Sequence, residues 1–205
     1  MDLLTSSVKD LVAATASKEP TPGGGAIAAL TAAMGAALAE MVANLTFGKK
    51  GYEDVQEDMH LLQQKAESIR EKALSLAQAD ANVFNLFMDA LALPKHTDEE
   101  KMARTAAIQQ AYKDAANVPL EIGMISYEIF DLAYLASTKG NQNLITDGII
   151  AAINARAAVK AAFLNVRINI ASIKDESYVA ELKAQMNQIE SELDEKEASI
   201  LALYK

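Results

Sequence analysis

Asp147, Asn154, Asn165 and Asn169 follow one another at intervals of seven, eleven and four residues. These are close to two, three and one turns of α-helix, so a single helical face carries a carboxylate and three carboxamides. A carboxylate can move protons, and carboxamides can orient a polar ligand or a water. The same asparagines could instead satisfy one another inside a helical bundle, because buried polar groups must be paired. The opposite side of the segment carries Arg156, Lys160, Arg167 and Lys174, a basic line that reads as a solvated face. Asp80 lies in the apolar setting AQADANVF, where a carboxylate needs a partner or a raised pKa. Lys49 and Lys50, flanked by glycines and followed by Tyr52, could grip an anion or form a plain inter-helix loop. GKKGY lacks the GxxxxGK[ST] spacing of a nucleotide-binding phosphate loop. Gly23, Gly24 and Gly25 stand together, which implies that side chains there would obstruct a neighbouring helix, a partner subunit or a ligand.

Composition narrows the chemistry. The chain has no cysteine, which excludes disulfides, thiolate nucleophiles and Cys-ligated zinc. Its two histidines, His60 and His96, are far apart in sequence, and no metal site is expected. A formal net charge of -9 argues against nucleic acid as a partner, since phosphate neutralisation needs a basic face. With 205 residues, 51% of them hydrophobic and 23% charged, the chain is expected to form one domain over residues 1–205 with a sizeable core. MDLLTSSVKD lacks the basic start and apolar run of a signal peptide, so the expected location is cytoplasmic.

The elements that must position these residues read as helices throughout. Ala26–Phe47 is long and apolar enough to suggest a membrane span. Its alanine-rich composition, with Glu40 and Asn44 inside it and nothing else in the chain comparably apolar, predicts a buried central helix instead. An amphipathic helix is expected over 2–16 and another over 52–93, stopped by Pro94. Thr97 with Glu100 forms a capping box that starts the next helix, and Pro119 is expected to divide that helix from its successor. A long helix over 144–174 and a last one in the tail complete the set. Leu182, Met186, Ile189, Leu193 and Ile200 form a heptad-like seam that wants a partner, either this bundle or a second subunit. Without period-two alternation, the fold class is an all-α helical bundle with a nearly all-apolar central helix and a long amphipathic C-terminal helix.

Read together, PTPGGGAIAALTAAMGAALAEMVANLTFGKKGY, DANVFNLFMDALALPKHTDEEKMAR, ANVPLEI and GNQNLITDGIIAA with NVRINIASIKD resemble, in order, the formiminotransferase-cyclodeaminase C-terminal domain family. The resemblance implies an all-α homodimer acting on a tetrahydrofolate derivative without a tightly bound cofactor. The implied reaction is cyclodeamination of 5-formiminotetrahydrofolate or hydrolysis of 5,10-methenyltetrahydrofolate. The former requires a separate formiminotransferase to supply the substrate. On this reading Asp147 is the principal acid/base group and Asp80 a second carboxylate. Asn143, Asn165 and Asn169 orient folate or water, while Lys49 and Tyr52 bind near the substrate. Gly23, Gly24 and Gly25 allow close backbone approach, and Lys95 or Arg104 meets the glutamate tail. The alternative is a non-catalytic folate-binding or scaffold subunit.

Overall fold

A computed structural model describes residues 2–204. Six α-helices follow in order: α1 (Val8–Thr15), α2 (Gly24–Asn44), α3 (Gln56–Ala92), α4 (Asp98–Lys139), α5 (Ile145–Ile170) and α6 (Glu176–Leu201). Among the described residues there is no strand, as an all-α chain requires. Helix α2 packs against α3, α4 and α5, while α6 lies outside, across α4 and α5.

The reason α2 can occupy the centre is its side-chain size. Ala26, Ala28, Ala29, Ala32, Ala36 and Ala39 are buried on it, and a Cβ at Gly35 would stand 3.2 Å from both the Ala151 carbonyl oxygen and Asn154 Cβ on α5. Small residues at a crossing let two helix axes approach closely. Bulkier groups, among them Met59, Phe130 and Phe163, fill the remaining core. The segment 142–170 is also long and apolar enough to cross a membrane, contrary to the expectation that α2 stood alone in this. Both are about half buried in the bundle.

Two boundaries differ from those expected. The first helix begins at Val8, because Leu3 is buried and its N–H donates to Gln78 Oε1 at 2.9 Å, holding the preceding residues in a turn. Helix α3 runs unbroken for 37 residues. Pro119 does not divide the next helix: α4 is one helix of 42 residues with the proline inside it. A mid-helix proline leaves the carbonyl four residues earlier without its donor. Here the Ala115 carbonyl accepts from Asn169 Nδ2 on α5 at 2.7 Å, so the break is repaired from outside. The Thr97–Glu100 capping box forms as expected.

The tail seam is satisfied within the chain. Leu182, Met186, Leu193 and Ile200 are buried, and Ile189 packs partly buried beside them. The basic line of α5 is not a free face, because α6 lies on it: Arg156 meets Asp194 at 2.6 Å and Glu197 at 3.0 Å, and Arg167 meets Glu190 at 2.5 Å. Lys113 closes the turn into α6 by pairing with Asp175 at 2.7 Å and, foremost among several hydrogen bonds there, holds that carboxyl well below the usual carboxylate range.

Candidate active site

The glycine run begins α2. Gly23 is the N-cap residue and makes no side-chain cap, so the first N–H groups of the helix need another acceptor. Asp80, from α3, turns its carboxylate toward this end of the helix, where the Ala26 N–H favours its charged form. Its carboxylate lies so close that a Cβ on Gly25 would sit 2.1 Å from Asp80 Oδ1 and 2.5 Å from Cγ. No other residue than glycine fits that position with Asp80 in place. Burial pushes the Asp80 carboxyl above its ordinary value, and the Ala26 N–H offsets this only in part.

This seat is the floor of a cleft of about 310 Å³ between α2, α3, α4 and α5. Gly23, Gly24, Asn165 and Asn169 line it beside Asp80, and Phe84, Phe87 and Tyr112 form an aromatic wall. The rings of Phe87 and Tyr112 lie 4.8 Å apart, tilted. A Cβ on Gly24 would reach ordinary contact with the Asn165 carboxamide, 3.4 Å from Nδ2, so the cleft is narrow there. Asn165 Nδ2 donates to the Ala161 carbonyl at 2.9 Å, and Asn169 Nδ2 donates to the carbonyls of Ala115 and Asn165. The arrangement can bind a planar heterocycle against the aromatic wall, accept hydrogen bonds from it, and exchange a proton through Asp80.

The structure thus gathers Gly23, Gly24, Gly25, Asp80, Asn165 and Asn169 and sets the rest of the expected site apart. Asp147 shares a helical face with Asn165 yet lies eighteen residues before it, about 27 Å along α5 at ~1.5 Å per residue. A shared face is not a shared site. Asn143 is exposed near Asp147 at that far end, in the turn preceding α5, and Lys49 and Tyr52 lie in the loop that follows α2. The Tyr52 hydroxyl accepts from the Gln142 N–H at 2.9 Å, tying this loop to the entry of α5. Arg104 donates through Nε and a terminal nitrogen to the Leu91 carbonyl at 3.2 and 3.0 Å, closing the tip of the α3–α4 hairpin. Lys95 is exposed in the same tip, and neither residue lines the cleft.

Sequence reasoning missed the aromatic wall. Phe84 and Phe87 follow Asp80 by four and seven residues, which places all three on one face of α3, and that spacing was the available signal. Tyr112 had no local signal; it reaches the cleft because α4 runs back along α3. Among the described residues no three His, Asp or Glu side chains gather as metal ligands would.

A bundle cleft with a half-buried carboxyl, carboxamides and an aromatic wall defines an all-α protein equipped for proton transfer on a flat, polar heterocycle. Residues 7–188 match the formiminotransferase-cyclodeaminase family, to which the chain belongs. It is 44% identical over 166 residues to the methenyltetrahydrofolate cyclohydrolase of Methylorubrum extorquens, covering 81% of this chain and 80% of that protein. It is 32% identical over 199 residues to the formimidoyltransferase-cyclodeaminase of Sus scrofa, but spans only 37% of that longer protein. The crystal structure of formiminotetrahydrofolate cyclodeaminase from Thermotoga maritima superposes with a TM-score of 0.87 at 31% identity, over 98% of this chain and 96% of that one.

Proposed function

We propose that this chain is an enzyme of tetrahydrofolate-bound one-carbon units, a 5,10-methenyltetrahydrofolate cyclohydrolase working from the cleft around Asp80. The observation that carries the reading is the seat of Asp80, a carboxyl raised by burial and held on a glycine floor facing an aromatic wall. The methenyl carbon is bonded to N5 and N10 and carries delocalised positive charge. Water adds to it, the carboxylate takes a proton from the water, and a tetrahedral carbon forms. The N5–carbon bond then breaks, N5 receives a proton, and 10-formyltetrahydrofolate results with net release of one proton. A carboxyl held above its ordinary pKa by burial is suited to both transfers.

The likeness to the Thermotoga maritima cyclodeaminase over 98% of this chain favours a second reading on the same cleft. There N10 attacks the formimino carbon of 5-formiminotetrahydrofolate and loses its proton. The departing nitrogen is protonated and leaves as ammonia, giving the methenyl compound. A separate formiminotransferase is then the proposed source of substrate. A non-catalytic folate-binding scaffold differs from both by binding without turnover.

The working unit of this proposal is a cytosolic homodimer with no tightly bound cofactor. Its support is the exposed apolar strip on each of the two antiparallel central helices: Ile27 and Met34 on α2 with Leu45 just past its end, and Ile150, Ile153, Leu164 and Ile168 on α5. Copies packed there about a two-fold axis perpendicular to these helices bring Asp147, Lys49 and Tyr52 of one toward the cleft of the other. Asp147 would then serve the reaction from across the interface.

The test follows the methenyl absorbance band with purified protein and each folate in turn, alongside light scattering. The expected results are loss of the methenyl band, a fall of roughly 10²-fold with Asp80→Asn, and a dimer at micromolar concentration. Folded protein that consumes neither folate defeats the enzyme reading, and a monomer defeats the dimer.

A further inference from the structure

Pro119 sits where it interrupts the ladder of α4. It has no N–H to offer the Ala115 carbonyl, and its ring presses on that carbonyl. The carbonyl is taken by Asn169 Nδ2 at 2.7 Å, and the same nitrogen donates to the Asn165 carbonyl at 3.0 Å. Two carbonyl oxygens can be satisfied only by the nitrogen of a carboxamide, so this pair fixes which way round Asn169 stands. Asn165 is fixed likewise by the Ala161 carbonyl. Both donors of Asn169 and one of the two donors of Asn165 are thereby engaged by the protein, and no described residue donates to either Oδ1. Both asparagines line the cleft, together with Ala115 and Val118 from the turn that Pro119 disturbs.

We propose that Pro119 is a positioning residue: by freeing the Ala115 carbonyl it holds Asn169 with its carboxamide oxygen available to the cleft, where Asn169 and Asn165 accept hydrogen bonds from the N–H groups of a reduced pterin ring. The proposal rests on the folate reading above and adds which part of the ligand the cleft reads. A floor of acceptors selects an edge rich in N–H donors, such as the amino-pyrimidinone edge of a pterin.

Pro119→Ala restores a backbone N–H that competes for the Ala115 carbonyl and deprives Asn169 of its anchor. The expected result is an unchanged or raised melting temperature with affinity for 6-methyltetrahydropterin weakened about two- to tenfold, the range of one neutral hydrogen bond. KM for the folate substrate should rise more than kcat falls, and p-aminobenzoylglutamate affinity should not follow. In side-chain amide NMR, the Asn169 NH2 protons are slow to exchange in the native protein and fast in the variant. Pro119→Ala added to Asn169→Ala should produce no further loss. A loss that persists in the Asn169→Ala background, or tetrahydropterin affinity unchanged by Pro119→Ala, overturns the proposal. Should the native protein bind no folate, the functional reading fails by itself, while the exchange measurement still decides whether Pro119 holds Asn169.

Discussion

Replacing Gly25 by alanine separates the requirements of folding from those of the site. The new Cβ would lie 2.1 Å from Asp80 Oδ1, whereas ordinary contact begins near 3.4 Å, so the carboxylate must withdraw by about 1.3 Å. The obstructing atoms are the end of an aspartate side chain rather than backbone, and they can move. Withdrawal weakens the attraction between the carboxylate and the positive start of α2, an effect of about 0.3–1 kcal/mol. Against that, alanine gains over glycine in helix propensity, by less than the ~1 kcal/mol of a helix interior because Gly25 lies in the first turn. The two effects nearly cancel, and the melting temperature should stay within about 4 °C of the native value, since ~1 kcal/mol corresponds to 2–4 °C at this size. Catalysis has no such compensation, because a displacement of ~1 Å in a reacting group costs about 10²-fold. Gly24→Ala is the control: its methyl makes only ordinary contact with Asn165 and leaves Asp80 in place. Folate turnover and thermal melting of both variants decide the matter. Full activity in Gly25→Ala, or destabilisation beyond about 3 kcal/mol, would refute the assignment of Gly25 as the space that seats Asp80.

Because burial raises the Asp80 pKa in the folded state, the native protein holds this proton to higher pH than the unfolded chain. The stability linked to it is therefore fully present below the ordinary aspartate value of 3.8 and is lost as pH rises through the raised value. Denaturant titrations across that window should show Asp80→Asn gaining on the native protein as pH increases; a pH-independent difference would contradict the burial argument. Leu193→Ala, removing a side chain only 1% exposed beneath α6, should cost about 2–5 kcal/mol by chemical denaturation. Lys101→Ala should cost under about 1 kcal/mol although it pairs with Asp98 at 2.9 Å, since the two side chains are 58% and 90% exposed and such pairs are screened by water.

What was legible in the sequence was local. The capping box at Thr97 and Glu100 is a four-residue signal, and the alanine-rich stretch declares a closely packed core helix through its own composition. Asp80 was conspicuous because its neighbours are apolar, and its partner, the glycine-led start of α2, carries a signal of its own. Pro119 was misread because its compensation comes from Asn169, fifty residues away, and no local rule announces a repair made by another helix. The asparagine face of α5 was read correctly in angle, but periodicity says nothing of axial distance, and Asp147 belongs to the far end. The basic line on α5 is ordinary in sequence; only the chain's return as α6 shows what its charges are for.

The close crossing of α2 and α5 at Gly35 bears on how the chain is made. Ala151, whose carbonyl lies against Gly35, is encoded more than a hundred residues later. At the usual pace of translation that interval is on the order of ten seconds. During it α2 can pair with α3 and then α4, yet a flank of alanines and glycine stays uncovered until α5 leaves the ribosome. The nascent chain is therefore exposed to aggregation late in synthesis, and slow codons or truncation between residues 124 and 151 should engage chaperones more than any change upstream.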